Sequence, residues 1–314
     1  MPSQTTPLQI NRAGLPSFVC VGGAKCGTTS LYEYLRAHPK VFLPDQKELH
    51  YFSYPDLALR PEGPGMRAIL AGLISTEAAY RAQYARMAPG KIGGDVSPSY
   101  LNEKAAPARI KALLGTPKII IMLRNPVERV HSQYLHLRRA AREPLSFEAA
   151  LAAEDERVAA GWGDIWHYTR SAYAADRIER YVACFGRENV LLVLSDDLQA
   201  NAQSEMARVY RFLGLPDDVP TLVTQRANRS GLPRSRALAR LIDASPAAVI
   251  AKRILPRRFG AMLKRRVQEL NTGAKEPLDR HLRQRLAAVY AEEIARIERL
   301  IGRSTDWRDG DTGP

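Results

Sequence analysis

The chain is poor in cysteine, with Cys20, Cys26 and Cys184 as the only three among 314 residues. An odd count without metal-ligand spacing argues against a disulfide framework and fits a reducing cytoplasm. No apolar run approaches the roughly 20 residues of a spanning helix, and the polar stretch Met1 to Pro16 lacks the apolar core of a cleaved export signal. A soluble protein is expected. His-x3-His, Cys-x2-Cys and clustered Asp patterns are missing too, so no metal is expected. There is no internal repeat, and no linker is long or polar enough to mark a boundary. One domain is therefore expected over residues 16–307, between flexible ends at 1–15 and 308–314.

Acidic residues are also in deficit, 33 Asp and Glu against 46 Lys and Arg, giving a formal net charge of +13. The excess is local: from Arg226 to Arg303 there are 19 basic residues and 7 acidic ones. Such a field attracts phosphates, sulfates, anionic glycans or a lipid surface. It would attract nucleic acid as well, but zinc-finger spacing, RNP-type aromatics and a heptad-linked basic helix are all lacking, and no nucleic-acid partner is expected. Lys252 to Arg266 carries seven basic residues and no acidic one, interleaved with Ile254, Leu255, Phe259, Met262 and Leu263. This stretch suits an anionic membrane surface, a rim receiving an acidic or lipid-linked acceptor, or an ordinary amphipathic helix pair interrupted at Pro256. A peripheral position at the inner membrane surface is the corresponding expectation.

What is present alternates short apolar runs with amphipathic stretches, the order expected of helices packed on a mainly parallel sheet. Strands are predicted at Phe18–Val21, Val41–Leu43, Lys91–Val96, Lys118–Leu123 and Asn189–Leu194. Helices are predicted at Thr28–Arg36, from Pro126 behind an Asn125 cap toward Ala141, at Phe147–Ala160, Ser171–Phe185 and Ala200–Leu213. From Asn228 onward the pattern is helical, closing with a long helix from about Asp279 to Ile301 stopped by Gly302. The fold class is α/β, a P-loop-type three-layer arrangement with a helical C-terminal part.

The first strand runs into Gly22-Gly23-Ala24-Lys25-Cys26-Gly27-Thr28-Thr29-Ser30 and then into a helix. Strand, glycine loop and helix N-terminus make an anion site: small residues let backbone N–H groups close on phosphate oxygens, and the helix dipole adds positive potential. The two glycines have Walker A spacing, but that motif needs lysine at position 28, where this chain has threonine. Lys25 sits earlier and faces the bridge of a shorter 5′ diphosphate-like group, where it can neutralise a leaving phosphate. A second element follows the fourth strand. Arg124 leaves the strand's carboxyl end and Ser132 lies eight residues on, about two turns into the helix. Both can face the crevice outside the strand ends, as a guanidinium-plus-hydroxyl clamp for a phosphomonoester.

With both elements present, the sequence resembles the family of sulfotransferases that use 3′-phosphoadenosine-5′-phosphosulfate (PAPS), particularly bacterial members and the sulfotransferase domains of heparan sulfate enzymes. Lys25 to Thr29, continued by Ser30, looks like the family's 5′-phosphosulfate loop, and Arg124 to Ser132 like its 3′-phosphate element. The segment Asn228 to Ser235 is similar to one that closes over the cofactor, which implies cofactor contacts for Arg234 and Ser235. Gln46-Lys47-Glu48-Leu49-His50-Tyr51-Phe52 is similar to the Lys-Glu-x-His-Phe-Phe stretch of glucosaminyl sulfotransferases. By that resemblance Glu48 is the catalytic base; chemically either Glu48 or His50 can accept the acceptor's proton.

One departure stands out at Gly94-Asp95-Val96-Ser97-Pro98-Ser99-Tyr100. The heparan sulfate pattern has lysine where this chain has Val96, so a second lysine from that position is missing. Ser97 and Tyr100 there read either as cleft wall or as a plain structural turn. The resemblance implies sulfuryl transfer from PAPS to an acceptor hydroxyl, with the Glu48 stretch pointing to a carbohydrate or glycolipid. A phenol or small metabolite stays open as acceptor, and the basic stretch from Lys252 to Arg266 is what would suit an anionic or lipid-linked glycan. A P-loop kinase or nucleotide hydrolase, and a non-catalytic anion- or nucleic-acid-binding protein, are the alternatives.

Overall fold

The computed structural model describes residues 14–220 and 277–308. Its centre is a five-stranded sheet in the order β2-β3-β1-β4-β5, formed by β1 (Phe18–Gly22), β2 (Val41–Phe42), β3 (Ile92–Val96), β4 (Lys118–Leu123) and β5 (Val190–Leu194). Every pairing is parallel, with β1 in register with Gly94–Val96 on one side and Lys118–Met122 on the other. A parallel sheet is covered on both faces, which is why β1 and β4 are near-continuous apolar runs rather than alternating ones.

The period of two sorts those runs into two cores. Val19, Val21, Ile119, Ile121 and Leu123 face one side, where they meet Ile110, Val130, Ile178 and Ile294. Phe18, Cys20, Ile120 and Met122 face the other, against Leu31, Leu35, Met206 and Val209. The first core is built with α5 (Ala106–Leu114), α6 (Pro126–Arg139), α9 (Ala175–Phe185) and the long helix Arg280–Ile301; the second with α1 (Thr28–Ala37) and α11 (Ala202–Phe212). Burying each such aliphatic side chain stabilises the fold by roughly 1.5–3 kcal/mol. Strand packing is tight enough to require glycine at one position: a Cβ on Gly94 would lie 2.1 Å from the Phe18 ring.

Local signals set the helix ends. Asn125 caps α6, its Oδ1 accepting from the amides of Val127 and Glu128, with Pro126 in the first turn. Asp279 caps the long helix through the Leu282 amide, and Gly302 ends it in the left-handed conformation. That helix in turn caps α9, whose first turn lacks a side chain of its own for the purpose: Glu293 Oε1 accepts from the amides of Ala174 and Ala175 at 2.5 and 2.7 Å.

Several expected helices are divided. Phe147–Ala160 becomes α7 (Phe147–Ala152) and α8 (Glu154–Ala159), broken at Ala153. Ala200–Leu213 is preceded by α10 (Ser195–Ala200), because Asn201 leaves the helical region and caps α11 through the Ser204 amide. Ser171 belongs to a 3₁₀ turn rather than to α9, which begins at Ala175. Between β2 and β3 the chain makes an excursion through three short helices, α2 (Tyr54–Leu57), α3 (Met66–Leu70) and α4 (Glu77–Ala82). Near the limits of the described residues, Leu15 and Trp307 are both buried. Arg234, Ser235, the segment Asn228–Ser235 and the basic stretch 252–266 lie outside the described residues.

Candidate active site

All five strands deliver residues to one cleft at their carboxyl ends, where ligands of open α/β sheets bind. The cleft, about 530 Å³, receives Ala24, Lys25 and Gly27–Ser30 after β1, Glu48 and His50 after β2, Pro98, Ser99 and Asn102 after β3, Arg124 after β4, and Ser195, Leu198 and Gln199 after β5. Helix α6 crosses it with Ser132, Gln133, His136 and Arg139.

The β1–α1 loop is shaped to hold an anion. Gly22 is pressed against β4, a Cβ there falling 2.7 Å from the Met122 carbonyl oxygen. Lys25 takes φ 72° and Gly27 φ 86°, left-handed conformations that turn the loop sharply into α1. The first turn of α1 has no acidic residue and no side-chain cap, so its amide groups and dipole are left facing the cleft. Lys25 adds a charge that its surroundings disfavour. Burial, then Arg139 and Arg124, lower its pKa to about 8. The Cys26 thiol does not join this wall: the side chain is buried in the second core and burial pushes its pKa up, leaving only its backbone to the loop.

Arg124 is fixed beside the loop, its Nη1 donating to the Lys25 carbonyl at 3.1 Å and its Nη2 lying 3.6 Å from Glu128. Glu128 also pairs with Arg283 of the long helix at 2.7 Å. Ser132 lines the same cleft, and its buried hydroxyl has no hydrogen-bond partner among the described residues. An orphan buried hydroxyl is a costly arrangement that a phosphate oxygen would relieve. The structure thus brings together Lys25, Gly27, Thr28, Thr29, Ser30, Arg124 and Ser132 as the sequence reading placed them.

The β2 loop puts a carboxylate opposite that loop. Glu48 and His50 both have left-handed backbones, φ 62° and 56°. Each is tied to the end of β3: the Glu48 amide donates to the Val96 carbonyl and the His50 amide to Ser97 Oγ, both at 3.2 Å. Ser97 Oγ donates in turn to the buried Asp95, which also accepts from the Tyr80 and Tyr100 hydroxyls at 3.0 and 2.8 Å. Burial raises the pKa of Asp95 in spite of those hydrogen bonds. Tyr100 is consequently a core residue and Ser97 an anchor, while Pro98 and Ser99 are the residues of that turn that reach the cleft.

Glu48 is ion-paired with Lys47 and lies 3.6 Å from His50 Nε2. Burial by itself would raise its pKa, but the His50 and Lys47 contacts win and hold the carboxyl well below the usual range. His50 Nδ1 is 2.6 Å from Ser99 Oγ, which is 2.6 Å from Ser53 Oγ. Lys47 Nζ also reaches Thr29 Oγ1 at 3.2 Å and so bridges the carboxylate and the phosphate loop. Val96 is buried in β3, paired with Cys20. Lys47, not position 96, therefore supplies the second ammonium near the loop.

Residues that the sequence reading passed over are His136, Arg139, Arg142 and Asn102, all cleft-lining. The signal for two of them was available: 132, 136 and 139 fall at helical spacing on the face of α6 that carries Ser132. Burial and the charges of Lys25, Arg139 and Arg142 depress the His136 pKa to about 3, so it is neutral at physiological pH.

A parallel α/β sheet thus brings Lys25 and the α1 N-terminus, Arg124, Ser132 and Glu48 to one cleft, an arrangement suited to a phosphate-ester ligand. The model of the Sulfotransferase family matches residues 16–219, and this chain belongs to that family. The chain is 30% identical over 201 residues, 64% of its length, to human heparan sulfate glucosamine 3-O-sulfotransferase 3B1, covering 46% of that protein. It is 30% identical over 207 residues to human heparan sulfate glucosamine 3-O-sulfotransferase 6, covering 54% of it. The chain thus spans about half the length of these curated relatives. A solved sulfotransferase from Alicyclobacillus acidocaldarius aligns with a TM-score of 0.73 at 30% identity, covering 93% of this chain and 98% of that one.

Proposed function

We propose that this protein transfers a sulfuryl group from PAPS to an acceptor hydroxyl, with a carbohydrate as the acceptor, as the names of the heparan sulfate relatives suggest. The observation that carries the reading is the pairing, in one cleft, of the Lys25 loop with Arg124 and the unpartnered Ser132 hydroxyl. The first suits the 5′ phosphosulfate and the second a 3′ phosphate, the group that separates PAPS from ADP-like nucleotides.

In this scheme Glu48, already ionised, takes the proton of the acceptor hydroxyl as its oxygen bonds to sulfur. The sulfur–oxygen bond to the 5′ phosphate breaks in line, and the electron pair leaves with the phosphate. Lys25, the α1 amides and the Thr28 and Thr29 hydroxyls stabilise that growing charge, so catalysis is positioning and electrostatics. His50 steadies Glu48 and hands its own orientation to the Ser99–Ser53 pair. Arg234 and Ser235 are proposed as further cofactor contacts. The protein is proposed to work in a reducing cytoplasm, which the free Cys20, Cys26 and Cys184 support. No described helix is long and apolar enough to cross a membrane.

Calorimetric titration with 3′-phosphoadenosine-5′-phosphate (PAP), without magnesium and with ADP as control, tests the reading. Micromolar PAP binding with much weaker ADP binding is expected. Equal or absent binding overturns it and favours a kinase-type nucleotide site.

A further inference from the structure

The cleft lining mixes two kinds of residue. Beside the polar loop, Arg124 and Ser132, it includes Leu57, Met66, Ile69, Leu73 and Ile165, together with Arg139 and Arg142. We propose that the aliphatic residues and Arg142 take an amphiphilic acceptor, with an anionic group held at the arginine and an apolar segment laid along the aliphatic side chains. The proposal rests on the sulfuryl-transfer reading and specifies the kind of molecule whose hydroxyl is sulfated.

The cation and the apolar wall share an edge. A Cβ on Gly65 would lie 3.4 Å from Arg142 Nε, and Gly65 opens α3, whose Met66 and Ile69 face the cleft. The Arg142 guanidinium has no ion-pair partner among the described residues, so its charge is available to a ligand. Burial first, and then the charges of Lys25, Arg139 and Arg142, keep His136 neutral. Asp164 also lines the cleft and disfavours an anion placed beside it. Among the described residues, the imidazoles of His50 and His136 are the only aromatic rings that line the cleft. Aliphatic side chains complement an alkyl segment, whereas a bare hydroxylated sugar would leave them wet. The apolar character also continues outward: two residues past Leu57, Leu59 is 78% exposed, the most exposed large apolar side chain among the described residues.

The test uses the protein loaded with PAP and four probes below their micelle-forming concentrations: n-octyl and methyl β-D-glucuronide, and n-octyl and methyl β-D-glucoside. Calorimetry should show octyl glucuronide binding about tenfold tighter than either single-feature probe, the gain of burying two or so methylenes or of one charge-assisted contact. Arg142→Gln should erase the glucuronide advantage and keep the octyl one; Ile69→Ser should do the reverse. Equal binding of all four probes, or variants that weaken all four alike, overturns the proposal. If PAP itself fails to load, the nucleotide reading falls and this proposal with it. PAP loading with indifference to the probes refutes the amphiphile alone.

Discussion

Binding of PAP at pH 8 should draw a proton onto Lys25. Burial and the neighbouring Arg139 and Arg124 hold this ammonium group at a pKa of about 8, against an ordinary value of 10.5. Near pH 8 a neutral form of Lys25 should therefore be substantially populated in the free protein. A phosphate brought against the side chain supplies the missing counter-charge and restores the ordinary affinity for the proton. Uptake should then be about 0.5 proton per PAP at pH 8 and about 0.9 at pH 9. The sign follows from the lowered value: the binding-competent ammonium form is complete below the free-protein pKa and is lost as pH rises through it, so PAP affinity falls on the alkaline side. The ligand's own phosphate, with a second pKa of about 6, is already ionised at pH 8 and contributes little. Calorimetry in two buffers of different ionisation enthalpy reads the uptake directly, and Lys25→Met should abolish it. Tight binding with identical heats in both buffers, or uptake that survives in Lys25→Met, would refute the assignment of Lys25 to the phosphate.

Glu48→Gln should lower kcat by about 10²–10⁴-fold while PAP affinity holds, the range expected for a lost general base; an unchanged single-turnover rate would transfer the role to His50. Ser132→Ala should weaken PAP about tenfold and leave ADP unaffected, as removal of one hydrogen bond to a charged phosphate does, and equal losses for both nucleotides would contradict a 3′-phosphate contact. Lys47→Met removes one of the two groups that lower the Glu48 pKa. The acid limb of kcat/KM, where activity is lost as Glu48 gains a proton, should move to higher pH, and a limb that stays in place would detach Lys47 from the base.

The parts of the molecule that could be read from the sequence are those whose chemistry is local. The run Lys118–Leu123, the Asn125-Pro126 cap and the Gly22–Ser30 loop each carry their own signal, and each stands where it was expected. Glu48 and His50 were readable as reactive groups, but their left-handed backbones and their anchorage to Val96 and Ser97 depend on a contact across some 50 positions of sequence. The break at Asn201 was hidden because an asparagine inside an apolar-periodic stretch reads equally as a helical position or a cap. Tyr100 reads from its place after Ser97-Pro98 either as cleft wall or as a plain structural turn, and the buried Asp95, which accepts its hydroxyl, decides for the turn. Arg142 lies past the end of α6 and α3 is only five residues long, so nothing periodic announced that they would meet.

The short helices between β2 and β3 have a consequence for how this enzyme could be re-purposed. The described residues proposed to meet the nucleotide follow β1 and β4 or lie on α6, elements packed into the sheet or its cores. Much of the acceptor wall, from Leu57 to Leu73, comes from one contiguous surface excursion whose two ends are pinned by strands. On the proposed reading, much of the apolar part of acceptor recognition lies in a stretch of chain separate from the donor residues. Grafting residues 54–75 from a relative with a different acceptor would change what is sulfated without rewriting how the sulfuryl donor is held, a division of labour that lets one scaffold serve many alcohols.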